Sequence, residues 1–159
     1  MERIVRVDKV VVLGVGNLLL KDEGVGVHLI QKLREMEIDE RVKLVDGGTS
    51  ILDFIPQAED VSKLIIVDAI KLGGKPGKTY RICVDDSLLR GAKGITSLHQ
   101  LGVVETLAIA RKMGELPHTV IIGIEPKDIS YGLELSPEIE RKMGEMVNLI
   151  LEEVRDKRN

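Results

Sequence analysis

The stretch that most constrains this chain runs from Val10 to Leu33, VVVLGVGNLLLKDEGVGVHLIQKL. Its first part is a β-branched apolar run that stops at Gly14-Val15-Gly16. Its second part repeats apolar residues at Val25, Leu29, Leu33 and Met36 with charges between them. A switch from a strand-like run to a helical period defines a βα unit. Between the two lies Asn17 to Gly26, a glycine-bounded loop with two adjacent acids, Asp22 and Glu23, just beyond the carboxyl end of the strand. In open α/β sheets that edge is where ligands bind.

Glycines 14 and 16 suggest a dinucleotide fingerprint, but the third glycine of G-x-G-x-x-G would fall at Leu19, and a pyrophosphate would meet two carboxylates instead of bare amides. An acidic loop suits a cation or a general base better than an anion. Nucleic acid is disfavoured as a partner by a net charge of −3 and an aromatic content of 2%, since a basic footprint and stacking surfaces are both lacking. The single cysteine forms no internal disulfide, so nothing demands an oxidising compartment. Arg3, Arg6 and Lys9 ahead of the apolar run loosely mimic a secretion signal. No small-residue cleavage site follows and the run is too short to span a bilayer, so the expectation is burial in a sheet of a cytoplasmic protein without membrane insertion.

The remaining chain repeats the same design. Val42 to Val45 is a short strand ending in Asp46-Gly47-Gly48-Thr49, followed over residues 50–58 by a short helix interrupted near Pro56. Leu64 to Val67 is a third buried strand ending in Asp68-Ala69. The turn from Lys71 to Lys78 is too short to hold a crossover helix, so Thr79 to Val84 reads as an antiparallel edge strand. Residues 85–98 show no periodicity and read as a mobile loop carrying Arg90 and Lys93. His99 stands at the loop's end, where Leu101, Val104, Leu107 and Ala108 begin a helix. Thr119 to Ile124 is the fifth strand. The last helix begins at Ser136, an N-cap, with Pro137 at its first position and an apolar stripe of Ile139, Met143, Met146, Val147, Ile150 and Val154. With 159 residues and 43% hydrophobic content, the expected architecture is one α/β domain over residues 1–159. It is a three-layer sandwich: a twisted five-stranded, mostly parallel sheet with one antiparallel edge strand and helices on both faces.

Glu23, Asp46, Asp68 and His99 are the titratable residues this reading places at strand tips or loops of one edge. Carboxylates plus an imidazole form a mixed oxygen/nitrogen set suited to zinc, nickel, manganese or cadmium, or they supply a base and an acid for hydrolysis. Strand-tip acids also cap following helices, and Asp46 beside two glycines fits that role equally well. Of the other histidines, His28 falls near the apolar stripe of the first helix, and His118 lies at a strand start. Cys83 sits mid-strand, and no G-x-S-x-G elbow is present, which disfavours a nucleophilic route.

Five segments together give a closer likeness: Gly14 to Gly26 (GVGNLLLKDEGVG), Val45 to Thr49 (VDGGT), Leu64 to Ile70 (LIIVDAI), His99 to Gly102 (HQLG) and Val120 to Pro126 (VIIGIEP). In order and spacing the chain resembles the nickel-iron hydrogenase maturation endopeptidases, which trim a C-terminal peptide from the hydrogenase large subunit. The resemblance implies a metal-binding set of Glu23, Asp68 and His99, with Asp46 in the same cleft. It further implies that the partner is the large-subunit precursor and that nickel already inserted in that substrate is the recognition signal. On this view the nickel arrives with the substrate, and zinc or cadmium could take its place in the isolated protein.

Two mechanisms remain open at this level. The metal polarises the carbonyl or activates water, with Glu23 and Asp68 catalytic through it, or it only docks the substrate while a carboxylate such as Asp46 activates water, as in an aspartyl protease. Arg90 and Lys93 are candidates for holding the substrate tail. The rival from another class is a non-catalytic nickel-binding or scaffold protein of hydrogenase maturation.

Overall fold

The computed structural model describes residues 8–91 and 98–157, without the side chains of residues 98–101. Five strands form one sheet: β1 (Val10–Val15), β2 (Val42–Gly48), β3 (Lys63–Ala69), β4 (Thr79–Cys83) and β5 (His118–Ile124), in the order β2-β1-β3-β5-β4. All neighbours are parallel except β4, which runs antiparallel to β5 at the edge. The expected α/β architecture is therefore the one observed. The helices are α1 (Val25–Arg34), α2 (Asp86–Arg90), α3 (Leu98–Met113), α4 (Pro137–Glu140) and α5 (Met143–Arg155). None in the described residues is long and apolar enough to cross a membrane.

Strand alternation divides the apolar residues between two cores. Val10 and Val12 of β1, Ile65 and Val67 of β3, and Val120, Ile122 and Ile124 of β5 face α1 and α5. Val11, Leu13 and Val15, Leu64 and Ile66, and Ile121 face Val103 and Leu107 of α3. β3, central and covered on both faces, is buried along its whole length, which is why it reads as a continuous apolar run instead of an alternating one. The stripe expected on the last helix is buried at all six positions.

Three local expectations differ from the structure. Residues 50–58 form only a 3-10 turn, Leu52–Phe54, because Pro56 forces Ile55 into an extended conformation (ψ 115°) and ends the helix there. The segment expected as a mobile loop contains α2, nucleated by Asp85, whose Oδ1 accepts the Leu88 amide at 2.7 Å. The final helix divides into α4 and α5 at Arg141-Lys142. Ser136 occupies the N-cap position, but its hydroxyl serves another partner.

Candidate active site

The carboxyl edge of the sheet is assembled around glycines that let α1 sit directly on the strand tips. Gly16 follows β1 at φ +140°, and a Cβ there would collide with the Glu23 carbonyl oxygen. A Cβ on Gly26, in the first turn of α1, would collide with the carbonyl oxygens of Val15 and Val67. Only hydrogen fits at either position, so the 3-10 turn Lys21–Gly24 that carries Glu23 is held against the ends of β1 and β3. Asp68 is the next residue of β3 after Val67, and it is buried. Glu23, half-buried, and Asp68 thus belong to adjoining strand tips at one edge.

The two adjacent acids separate into different roles. Asp22 is 1% exposed, and its carboxylate accepts four hydrogen bonds: from the amides of Lys127 (2.9 Å), Asp128 (2.8 Å) and Ser136 (2.7 Å), and from the Ser136 hydroxyl (2.7 Å). It ties the loop after β1 to the loop after β5. Lys21 reinforces the tie at a left-handed φ of 46°, its amide donating to the Gly132 carbonyl and its ammonium pairing with Asp128 at 3.0 Å. The hydroxyl and amide of Ser130, together with Lys21, hold the Asp128 carboxyl well below the usual carboxylate range.

Asp46 lies elsewhere on the same edge. It is exposed at the end of edge strand β2, and its Oδ1 accepts the Gly48 amide at 3.0 Å, closing a local turn. Its rung runs through Gly14 to Val67, so β1 separates it from Asp68. Leu44 packs on the α1 side and Ile66 on the α3 side, and alternation assigns Asp46 and Asp68 to those respective faces. Two strand spacings put the tips of β2 and β3 about 10 Å apart.

His99 is the second residue of α3, and its side chain lies outside the described residues, as does all of Lys93. Arg90 ends α2 and is exposed, bordering an open groove between α2 and α3 together with Glu105, Arg111 and Lys112. Among the described residues no three His, Cys, Asp or Glu side chains form a group that could hold a metal ion. Glu23 and Asp68 would therefore need His99, or a donor from the substrate, to complete such a set. His118 cannot serve. It begins β5 at the opposite edge, about 20 Å from the tip by strand rise. Burial, with Lys63 nearby, depresses its pKa.

Sequence reasoning missed two buried polar clusters. The Glu125 carboxylate accepts the amides of Leu72 (2.9 Å) and Gly74 (2.6 Å) and the Tyr80 hydroxyl (3.0 Å), fixing the turn that precedes β4. At the amino edge Glu153 accepts a bidentate Arg81 (2.8 and 3.0 Å) and lies 2.7 Å from the Lys63 ammonium. The only local signals were an acid closing an apolar strand and a lysine opening one.

Comparison with known proteins agrees with this architecture. The family model for hydrogenase maturation protease matches residues 27–153. The chain is 36% identical to the hydrogenase expression/formation protein HupD of Thiocapsa roseopersicina, over 91% of this chain and 66% of that protein. It is 30% identical to the hydrogenase 2 maturation protease of Escherichia coli, over 93% of this chain and 92% of that one. Among solved structures, the hydrogenase maturating endopeptidase HybD from E. coli superposes with a TM-score of 0.80 at 30% identity, covering 92% of each chain. The [NiFe] hydrogenase maturation protease HybD from Thermococcus kodakarensis gives 0.74 at 27% identity, covering 92% of this chain and 99% of the other.

Proposed function

The chain belongs to the hydrogenase maturation protease family, and on that premise we propose that it is the endopeptidase that removes the C-terminal peptide from the nickel-loaded precursor of a nickel-iron hydrogenase large subunit. The observation that carries this reading is the family match across residues 27–153, joined to the acidic carboxyl edge at which Glu23 and Asp68 occupy adjoining strand tips. The nickel is part of the substrate. Glu23, Asp68 and His99 supply two carboxylates and one imidazole, a borderline donor set that suits nickel and leaves positions open for the ligands nickel already has in the precursor. Zinc or cadmium, which favour similar donors, would occupy the same residues in the isolated protein.

Docking and hydrolysis then fall on different strands. An extended peptide rises about 3.3 Å per residue. A metal-bearing residue held at the β3 tip therefore places the bond that faces Asp46, about 10 Å away, some three residues along the substrate. There the exposed Asp46 carboxylate takes a proton from water as the water oxygen adds to the peptide carbonyl. The carbon–nitrogen bond breaks, and the leaving amine departs with that proton. We assign the holding of the substrate tail to the cationic side chains of Arg90 and Lys93. We assign the reaction to the cytoplasm, in keeping with an exposed free thiol at Cys83.

The experiment is to incubate the protein with nickel-loaded and nickel-free precursor and to weigh the products by mass spectrometry. The expected outcome is one cut, in the loaded form only. Glu23→Gln and Asp68→Asn should abolish it, and Asp46→Asn should lower kcat by about 10²–10⁴-fold with KM little changed. Equal cleavage of both forms would remove nickel from recognition while leaving the protease. Cleavage of neither would favour a non-catalytic metal-binding role.

A further inference from the structure

Beside Asp68, on the α3 face of the sheet, lies a cavity of about 130 Å³ that the hydrolytic step does not use. Its wall is assembled from separate elements: Ile70 just beyond β3, Ile82 of β4, Ile121 of β5, Leu88 of α2 and Val104 of α3, with Asp68 the only polar residue among the described lining. Two parts of the wall are fixed by carboxylates acting on the backbone. Asp85 accepts the Leu88 amide, and Glu125 accepts the amide of Leu72, which also lines the cavity. Gly123, the rung partner of Asp68, leaves the space in which the Ile70 side chain lies, since a Cβ there would collide with it. These features describe a shaped compartment, not a packing fault.

Water is a poor occupant, because a buried water needs two to four polar partners and the described residues of this wall offer one, Asp68. A water molecule takes about 30 Å³ of liquid volume and a methyl group is of similar size, so the space admits a side chain of about four carbons. The ligand must also come within reach of Asp68. We propose that this cavity is a specificity subsite that receives an aliphatic side chain of the size of leucine, isoleucine or methionine from a substrate residue next to the metal-bearing one, which the β3 tip holds beside Asp68. The inference rests on the protease reading above and adds a requirement to it: the substrate is recognised by an apolar side chain as well as by its metal. A charged or strongly polar side chain at that residue would be desolvated among aliphatic groups without a partner.

Leu88 is the place to test this, because it is half-buried on a short helix and its backbone bond to Asp85 survives a side-chain change. The protein and its Leu88→Phe and Leu88→Ala variants are assayed on nickel-loaded precursors in which the residue on each side of the metal-bearing one is, in turn, leucine, phenylalanine or aspartate. The expected result is that at one of the two positions the unaltered protein favours leucine over aspartate by at least 100-fold in kcat/KM. Leu88→Phe should lower kcat/KM for the leucine substrate about tenfold or more, and Leu88→Ala should raise the phenylalanine-to-leucine ratio by a similar factor. A loss of stability alone would lower all substrates together and leave the ratios unchanged. Ratios that stay constant across both variants, while the precursor is still cut, would overturn the subsite and leave the protease intact. An unaltered protein that cuts no precursor would overturn the protease reading, and this inference with it.

Discussion

Asp22 and Glu23 are neighbours of the same charge, yet one is buried among four donors and the other is half-buried. Four donors converge on the Asp22 carboxylate, and three of them are backbone amides of residues 105 to 114 positions away in the chain. Replacing it with alanine leaves those donors buried without an acceptor, at about 1–3 kcal/mol for each that water cannot reach. Asp22→Ala should therefore cost about 3 kcal/mol or more in urea denaturation. Glu23→Gln, at the half-buried neighbour, should change stability by less than about 1 kcal/mol while abolishing cleavage. The reverse pattern would exchange their roles. No local pattern distinguishes the two in sequence, because what separates them is the return of a distant loop. The role proposed for Glu23 was read only through its motif. Asp46 was legible as a strand-tip acid, but the face it occupies required the register of β2 against β1.

At the level of elements, the strands were readable because burial on both faces leaves continuous β-branched runs, and the antiparallel β4 followed from a turn too short for a crossover. Helices that depend on one capping side chain were not readable. α2 has no apolar period, only five residues and one aspartate at its start. The contact that positions the site, α1 resting on two strand tips, is likewise written only as a missing Cβ at Gly26. Gly26→Ala should push the first turn of α1 away from the Val15 and Val67 carbonyls. The expected cost is about 1–3 kcal/mol of stability by thermal unfolding. Because Glu23 moves with that turn, kcat/KM on the loaded precursor should fall by about 100-fold, more than partial unfolding explains. Gly144, where a Cβ would meet nothing, supplies the control: Gly144→Ala should retain full activity.

Across the whole molecule the two edges of the sheet divide the proposed chemistry from cohesion. The carboxyl edge presents Glu23, Asp46 and Asp68, whereas the amino edge buries an ionic cluster in which Lys63 of β3 and Arg81 of β4 grip Glu153 of α5. The Lys63 ammonium also donates to the carbonyl oxygens of Glu153 and Asp156, so the end of α5 is fastened to two strands. Burial alone would raise the Glu153 pKa, but hydrogen bonds from Arg81 and Lys63 outweigh it and hold the carboxyl below its ordinary value. His118, on the same rung as Lys63, is depressed from its ordinary 6.5, first by burial and then by that ammonium. Both shifts have the same sign for stability. Each group binds its proton less readily when folded, so its contribution is full above the unfolded pKa and is lost as pH falls toward the folded one. Stability should begin to decline below about pH 6.5 through His118, and decline again below about 4.5 through Glu153. Within each window the slope should stay below the roughly 1.4 kcal/mol per pH unit that a difference of one whole bound proton would give. Urea denaturation measured from pH 8 to pH 4 would reveal both stages, and His118→Gln should remove the first while leaving the second. A flat profile in that variant below pH 4.5, or an unchanged slope between pH 5 and 6.5, would place the acid sensitivity elsewhere. Cleavage at pH 7 should be unaffected by His118→Gln, because the substitution lies a full strand length from Asp68.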